Sequence, residues 1–203
     1  MEASLLVRSV LVGLAVAAPI GPMSLLCMQH TLQRGRAAGL ACGAGIAAAD
    51  GTYAAIAAFG VTAISAALLA ATFWLKVLGA LVLIFLGLRI ALSRPGAQAA
   101  ALDASGWRAA VVVYGLTLAN PPTILFFAGI FASLATLTGA MQSFVFSLGV
   151  VLGSLVWWLL LTAVVAKAAR LLRSPVMLLI NHVSGLVLLC FGLYGLMQSF
   201  FFV

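Results

Sequence analysis

Two short segments, "GLAVAAPIGP" at residues 13–22 and "GLTLANPPT" at residues 115–123, share a pattern at a distance of 102 positions. At this shift Pro19 falls opposite Pro121, and Ala18 falls opposite Asn120. Each segment lies inside a long apolar run, where a proline removes a backbone donor and breaks or kinks a helix. The chain therefore carries the same helix interruption twice, once in each half.

A second pair of segments repeats in the same order. "ALVLIFLGL" at residues 80–88 aligns with "GLVLLCFGL" at residues 185–193 at a shift of 105, with five identical positions. Between these matches the agreement is looser, with Gly51 opposite Gly153. Apolar helices resemble each other by chance, so one match alone would be weak. Two matches, in order and at nearly one spacing, indicate a duplication.

The composition predicts a membrane protein. Of the 203 residues, 66% are hydrophobic and 6% are charged, whereas a soluble domain carries about 25% charged residues. Six continuous apolar runs are each long enough for a helix to cross a hydrocarbon core ~30 Å thick. Because the runs do not alternate with period two, helices are favoured over a barrel. The runs are Leu5–Cys27, Ala38–Ile64, Ala66–Leu92, Ala109–Leu134, Phe144–Ala166 and Val176–Phe200.

The predicted fold class is an all-α membrane protein of six transmembrane helices, with helices one and four broken. It forms a single polytopic domain over residues 1–203, with one repeat at about 5–92, a polar loop at about 93–108 and a second repeat at about 109–200. Three spans per repeat is an odd number, so the second copy inserts upside down, as in many secondary transporters. Short joints around Ser65 and Thr138 predict tight antiparallel hairpins.

The net charge of +7 is distributed as in a membrane protein rather than in a nucleic-acid-binding one. Basic residues follow the first, third and fifth runs, whereas the joints around Ser65 and Thr138 hold no charge. Under the positive-inside rule the basic loops are cytoplasmic, and both termini then lie outside. These basic residues are Arg34, Arg36, Arg89, Arg94, Arg108, Lys167, Arg170 and Arg173.

Asp50 is the single acidic residue in any of the six runs. A charged side chain at the centre of a membrane helix costs ~2.5–3.5 kcal/mol on insertion scales, so such residues are rare and usually functional. Two roles compete: an ion pair with Lys76 across a helical hairpin, or binding of a substrate cation or a proton. Tyr53 shares the helix face of Asp50 and is a candidate partner or lining group.

Matched interruptions in two repeats indicate a binding site near the middle of the membrane. The candidate residues are Pro19, Gly21 and Pro22 in the first half, and Asn120, Pro121 and Pro122 in the second. The competing interpretation is a pair of inherited packing kinks. Asn120 favours a site, because its amide must be satisfied within the helical bundle.

The chain resembles the lysine-exporter type of amino-acid translocators. The resemblance lies in residues 19–64, in "WLKVLGALVLIFLGLRI" and in "NPPTILFFAGIF", and it covers nearly the whole chain. It implies proton-driven export of amino acids or related amines across the bacterial inner membrane. It points to Pro19, Gly21, Pro22, Asp50, Asn120 and Pro121. Met23 and Ser24 replace the Asn or Gln-Asn that often follows Gly-Pro, which leaves the substrate open.

Other classes fit less well. An enzyme would need paired carboxylates or a nucleophile and base at membrane depth, and a nucleotide-driven pump would need a phosphate-binding glycine loop, which is absent. No cofactor is indicated. A divalent-metal exporter using Cys27, Met28, His30 and Asp50 stays an alternative, as does a non-transporting scaffold. His30 is expected near the interface and Trp158 facing lipid. The oligomeric state stays open.

Overall fold

The computed structural model describes residues 2–59, 62–92, 106–120, 123–124, 126–127, 139–169 and 174–201. The side chains of residues 2, 62–72, 75–76, 174–178, 180–181 and 198–201, Lys76 among them, also lie outside the description. Within this part of the chain all regular structure is α-helical, as predicted. The helices are α1 (Glu2–Ala17), α2 (Pro22–Arg34), α3 (Arg36–Ala58), α4 (Thr62–Ala91), α5 (Trp107–Leu118), α6 (Ala140–Ala169) and α7 (Ser174–Phe201).

Helices α3 and α6 form the central antiparallel pair. The start of α6 lies beside the end of α3, where the Ser143 hydroxyl donates to the carbonyl of Ala58 at 2.7 Å. Farther along, Gly43 of α3 lies against Trp158 of α6 so closely that a side chain at position 43 would collide with the indole. Small residues at such contacts allow the backbones of membrane helices to approach.

One further helix lies along each member of this pair. Helix α5 runs parallel to α3, because Gly45 lies against Ala110 and the Tyr53 hydroxyl reaches the carbonyl of Leu118. Helix α1 lies along α6, where Gly149 has no room for a side chain beside Ser9. Helices α1 and α5 thus lie on either side of the central α3–α6 pair.

Helix α4 packs along α7 instead of along α3. The two helices are antiparallel, since Gly185 lies against Ala91 and Gly192 lies against Ala80. The expectation that the second and third apolar runs lie side by side as a tight hairpin is therefore wrong. The second hairpin, expected around Thr138, lies outside the described residues.

Length and hydropathy identify membrane spans among the described helices. Helices α3 and α6 are each long and apolar enough to cross a membrane, and α1 and α2 meet the same criterion only when taken together as a bent pair. Shorter apolar stretches lie in α4, α5 and α7, at Val77–Ala91, Trp107–Leu118 and His182–Met197.

The outward faces of these helices are apolar. Large hydrophobic side chains such as Leu11, Phe85, Leu160 and Val164 are more than half exposed. Polar side chains, in contrast, are concentrated in the interior, where Gln29 and Ser154 among others are fully buried. A soluble monomer rarely exposes so much contiguous apolar surface, and this reversed distribution is the one expected for a protein surrounded by lipid.

Candidate functional site

The first helix interruption is a sharp bend. Helix α1 ends at Ala17, α2 begins at Pro22, and their axes differ by 81°. Proline suits the first position of a helix, because the missing N–H would have no helical partner there. The Ser24 hydroxyl donates to the carbonyl of Pro19 at 3.2 Å, which satisfies one backbone acceptor of the bend. No side chain caps the start of α2.

The second interruption follows the end of α5 at Leu118. The backbone N–H of Asn120 turns back to the carbonyl of Thr117 at 3.1 Å, which ends the helix in a tight turn. The Asn120 side-chain amide then donates to the Thr123 hydroxyl at 2.8 Å. Pro121 and Pro122, the matched prolines of this half, lie outside the described residues.

Both interruptions line one cavity of about 210 Å³. Pro19, Gly21 and Pro22 contribute from the first bend, and Asn120 contributes from the second. Asp50 of α3 lines the same cavity. The structure thus brings together five of the nine residues that the sequence nominates, although they come from segments up to a hundred positions apart.

Asp50 lies at the middle of the bundle and is only 2% exposed. Its Oδ2 accepts a hydrogen bond from the Ser154 hydroxyl at 2.7 Å, and Ser154 in turn accepts one from the indole N–H of Trp158 at 3.1 Å. Ser154 stands at the centre of the 30-residue helix α6. The carboxylate is therefore held about midway along a membrane-spanning helix, beside the cavity.

Asn120 has an incomplete set of partners. The residue is 8% exposed, and its side-chain oxygen Oδ1 makes no hydrogen bond within the described part of the chain. A buried polar atom without a partner costs ~1–3 kcal/mol. Asn120 also lines the cavity, so a ligand there could complete its hydrogen bonding.

Tyr53 and Lys76 were both predicted as partners of Asp50, and the structure describes only the Tyr53 side chain. Tyr53 is directed toward α5, where its hydroxyl donates to the Leu118 carbonyl and its ring stacks on Phe127 with centroids 5.5 Å apart. It therefore stabilises the second helix end rather than contacting Asp50. The Lys76 side chain lies outside the described residues, and its helix α4 has few contacts with α3.

Sequence reasoning missed Ser154 and misplaced Trp158. Trp158, expected to face lipid, is 2% exposed and belongs to the hydrogen-bonded chain that ends at Asp50. His30, expected near the interface, is 1% exposed, and neither ring nitrogen has a partner in the described residues. With Gln29 and Gln33 it forms a second buried polar group, on α2. No local motif marks Ser154, because a serine in an apolar run is common.

The described residues offer no group of three or more His, Cys, Asp and Glu side chains that could hold a metal ion. Cys27, one of the ligand types named for a metal exporter, donates its thiol to the carbonyl of Gly39 at 3.3 Å. This geometry gives the metal alternative no support.

Comparison with known proteins gives the family. The family model for LysE type translocators matches residues 14–199. The chain is a LysE type translocator. It is 26% identical over 200 residues to the Bacillus subtilis (strain 168) protein named "Putative amino acid efflux protein YcgF", with 91% of each chain covered. No solved structure matches the chain. As a member of this family it is a membrane translocator and not an enzyme.

Proposed function

We propose that this LysE type translocator exports amino acids or related small amines from the cytoplasm across the bacterial inner membrane, in exchange for protons. The observation that carries the proposal is the meeting of two helix breaks, one from each half, at a single cavity with a buried carboxylate. Broken helices at membrane depth expose backbone groups that bind solutes and ions in secondary transporters. The name of the B. subtilis relative supports amino acids as the substrates and efflux as the direction of transport.

The proposed architecture is six spans in two inverted repeats. Gly87 of α4 lies against the backbone of Gly185 and Leu189 in α7. At the sequence shift of 105 these three positions correspond to Gly192, Ala80 and Ile84. Gly192 does lie against the backbone of Ala80 and Ile84, so this contact has its counterpart. The helix pairs α1–α6 and α5–α3 are counterparts at the level of whole helices, which also supports a two-fold relation between the halves.

Asp50 is the proposed coupling residue. An ionised carboxylate away from water is costly unless a cation or a hydrogen-bond donor compensates it. Ser154 supplies one donor, and the substrate ammonium would supply the compensating charge. When the ammonium leaves toward the outside, a proton would take its place, and loss of that proton toward the cytoplasm would restore the empty site. Asp50 would thus carry a compensating cation in each crossing of the membrane and would be empty only while open to the cytoplasm.

The proposal also includes the orientation of the chain in the membrane. The basic ends of α2 and α6, marked by Arg34 and Lys167, would lie in the cytoplasm under the positive-inside rule. The N- and C-termini would then lie on the outer side. A tag at either terminus should react with a membrane-impermeant reagent in intact cells if this orientation is correct.

The test is efflux from cells preloaded with a mixture of labelled amino acids. Wild type should release one or a few of them faster than cells without the protein, and a protonophore should stop the release. Asp50→Asn keeps the shape of the side chain but removes the charge, so release should fall to the background rate at equal protein level.

Ser143→Ala is the matched control, because Ser143 lies on the same α3–α6 contact but bonds to the Ala58 carbonyl outside the cavity. It should retain most of the wild-type rate. Export that survives Asp50→Asn would assign the aspartate to packing alone. If no amino acid is released above background, the proposal fails, and a metal-tolerance screen would then test the alternative of a metal exporter.

A further inference from the structure

The polar groups of the cavity are of two complementary kinds. Asp50 and the unpartnered Oδ1 of Asn120 are hydrogen-bond acceptors, suited to a cation. The start of α2 offers donors instead. Pro22 takes the first helical position, and the backbone N–H groups of Met23 and Ser24 that follow have no acceptor within the helix. A helix start carries partial positive charge and favours an anion.

These two kinds of group line one cavity of about 210 Å³. A ligand that uses both must carry an ammonium and a carboxylate close together, which is the arrangement at the α-carbon of an amino acid. A second observation, independent of the start of α2, also points to a ligand. Asn120 lines the cavity and has a buried oxygen without a partner, which indicates that a hydrogen-bond donor belongs there.

The rest of the described wall is apolar. It is formed by Val16, Ile20, Ile46, Phe126 and Phe191, together with the ring of Trp158, whose N–H is occupied by Ser154. No lysine or arginine lies among the described wall residues. The substrate side chain would therefore contact hydrocarbon.

The full sequence adds a stronger restriction. The chain contains three acidic residues in total, Glu2, Asp50 and Asp103. Glu2 is the first residue of α1, and Asp103 lies in the polar loop between the repeats. A lysine or arginine side chain would bring a second cation into the bundle, where no second carboxylate exists to compensate it. A buried charge without a partner is strongly unfavourable.

We infer that the substrate is a zwitterionic amino acid with a neutral, aliphatic side chain, rather than a basic amino acid. The ammonium binds Asp50 and Asn120, the carboxylate binds the backbone N–H groups at the start of α2, and the side chain lies against the apolar wall. This inference rests on the proposed function, since it names the substrate class of the same site.

The test is counterflow with the purified full-length protein in liposomes. Vesicles preloaded with unlabelled leucine should accumulate labelled leucine, and vesicles preloaded with lysine should accumulate labelled lysine at least about tenfold more slowly. Leucinamide, which lacks the carboxylate, and 4-methylpentanoate, which lacks the ammonium, should not exchange with labelled leucine.

A gain-of-function variant sharpens the test. Ile20 lines the cavity and lies in the bend between α1 and α2, outside both helices. Ile20→Asp adds the missing second carboxylate and should raise the ratio of lysine to leucine counterflow by about tenfold, the ratio that ~1.4 kcal/mol corresponds to. Ile20→Asn has a similar shape without the charge and should leave the ratio unchanged.

The outcomes separate the inference from the proposed function. Lysine counterflow equal to or faster than that of leucine would overturn the substrate class and leave amino-acid transport intact. Exchange of leucinamide as fast as leucine would overturn the role of the α2 start. Absence of counterflow with every amino acid would overturn the proposed function, and the inference with it.

Discussion

The antiparallel pairs α3–α6 and α4–α7 differ in the way their helices contact each other. In the α3–α6 pair, buried side chains hydrogen-bond across the contact, with Ser154 reaching Asp50 and Ser143 reaching the Ala58 carbonyl. In the α4–α7 pair, glycines lie directly against the opposite backbone, as Gly87 does at Leu189. One pair carries hydrogen bonds between buried side chains beside the cavity, whereas in the other glycines lie against the opposite backbone.

The two kinds of contact predict different effects of substitution in the two pairs. In lipid no hydrophobic effect drives helices together, so close packing of small residues stabilises their contact. Interhelical hydrogen bonds in membranes contribute only ~0.6 kcal/mol on average. We therefore expect substitutions in α4–α7 to affect the stability of the fold, and substitutions in α3–α6 at the hydrogen-bonded residues beside the cavity to affect transport.

A large loss of stability is expected for Gly87→Val in the α4–α7 pair. A Cβ at this position would lie 2.6 Å from the backbone nitrogen of Leu189 and 2.8 Å from the carbonyl oxygen of Gly185. Backbone atoms cannot move aside, and overpacking of this kind costs ~1–3 kcal/mol or more. The melting temperature of the purified protein in detergent should fall clearly below that of wild type.

Gly195→Ala is the control in the same helix pair, because its Cβ would meet only the methyl group of Ala80 at an ordinary 3.6 Å. It should melt close to wild type. If Gly87→Val melts normally but loses transport, the division between a packing pair and a transport pair is wrong.

A second prediction concerns Ser154→Ala in the polar pair. The variant removes the donor to Asp50 and leaves the Trp158 N–H without its acceptor. Loss of a hydrogen bond to a charged group costs ~1.5–3 kcal/mol, which corresponds to a decrease of about tenfold or more in the initial efflux rate. Melting should change far less than in Gly87→Val.

Combining Ser154→Ala with Asp50→Asn tests whether the serine acts through the aspartate. Because both residues would belong to one hydrogen-bonded unit, the double variant should bind labelled substrate no more weakly than Asp50→Asn alone. Binding that weakens further would show that Ser154 contributes to the site independently.

Much of this fold follows from sequence because long apolar runs and prolines act locally. The interruption at Pro19–Pro22 was predictable since a proline breaks a helix whatever surrounds it. The partner of α4 was not, because any apolar helix face can pack against another in lipid, and loop length alone favoured α3. That preference also underlay the expected Asp50–Lys76 pair, whose lysine side chain lies outside the described residues.

The site was predictable at its charged residue and less so at its supporting ones. Asp50 is conspicuous because a carboxylate in an apolar run is costly. Ser154 carries no such cost, and a serine within an apolar run gives no local sign of its partner.

The smallest effect is expected for Trp158→Phe, which tests how far the polar pair extends from Asp50. The phenyl ring retains the packing against Gly43 but removes the N–H that donates to Ser154. Ser154 can still donate to Asp50, so only the orientation of its hydroxyl is less restrained. Initial efflux should therefore fall by about two- to threefold, equivalent to roughly 0.4–0.7 kcal/mol, with melting close to wild type. A loss as large as that of Ser154→Ala would mean that the indole N–H fixes the serine, and that the unit which positions the carboxylate has three members rather than two.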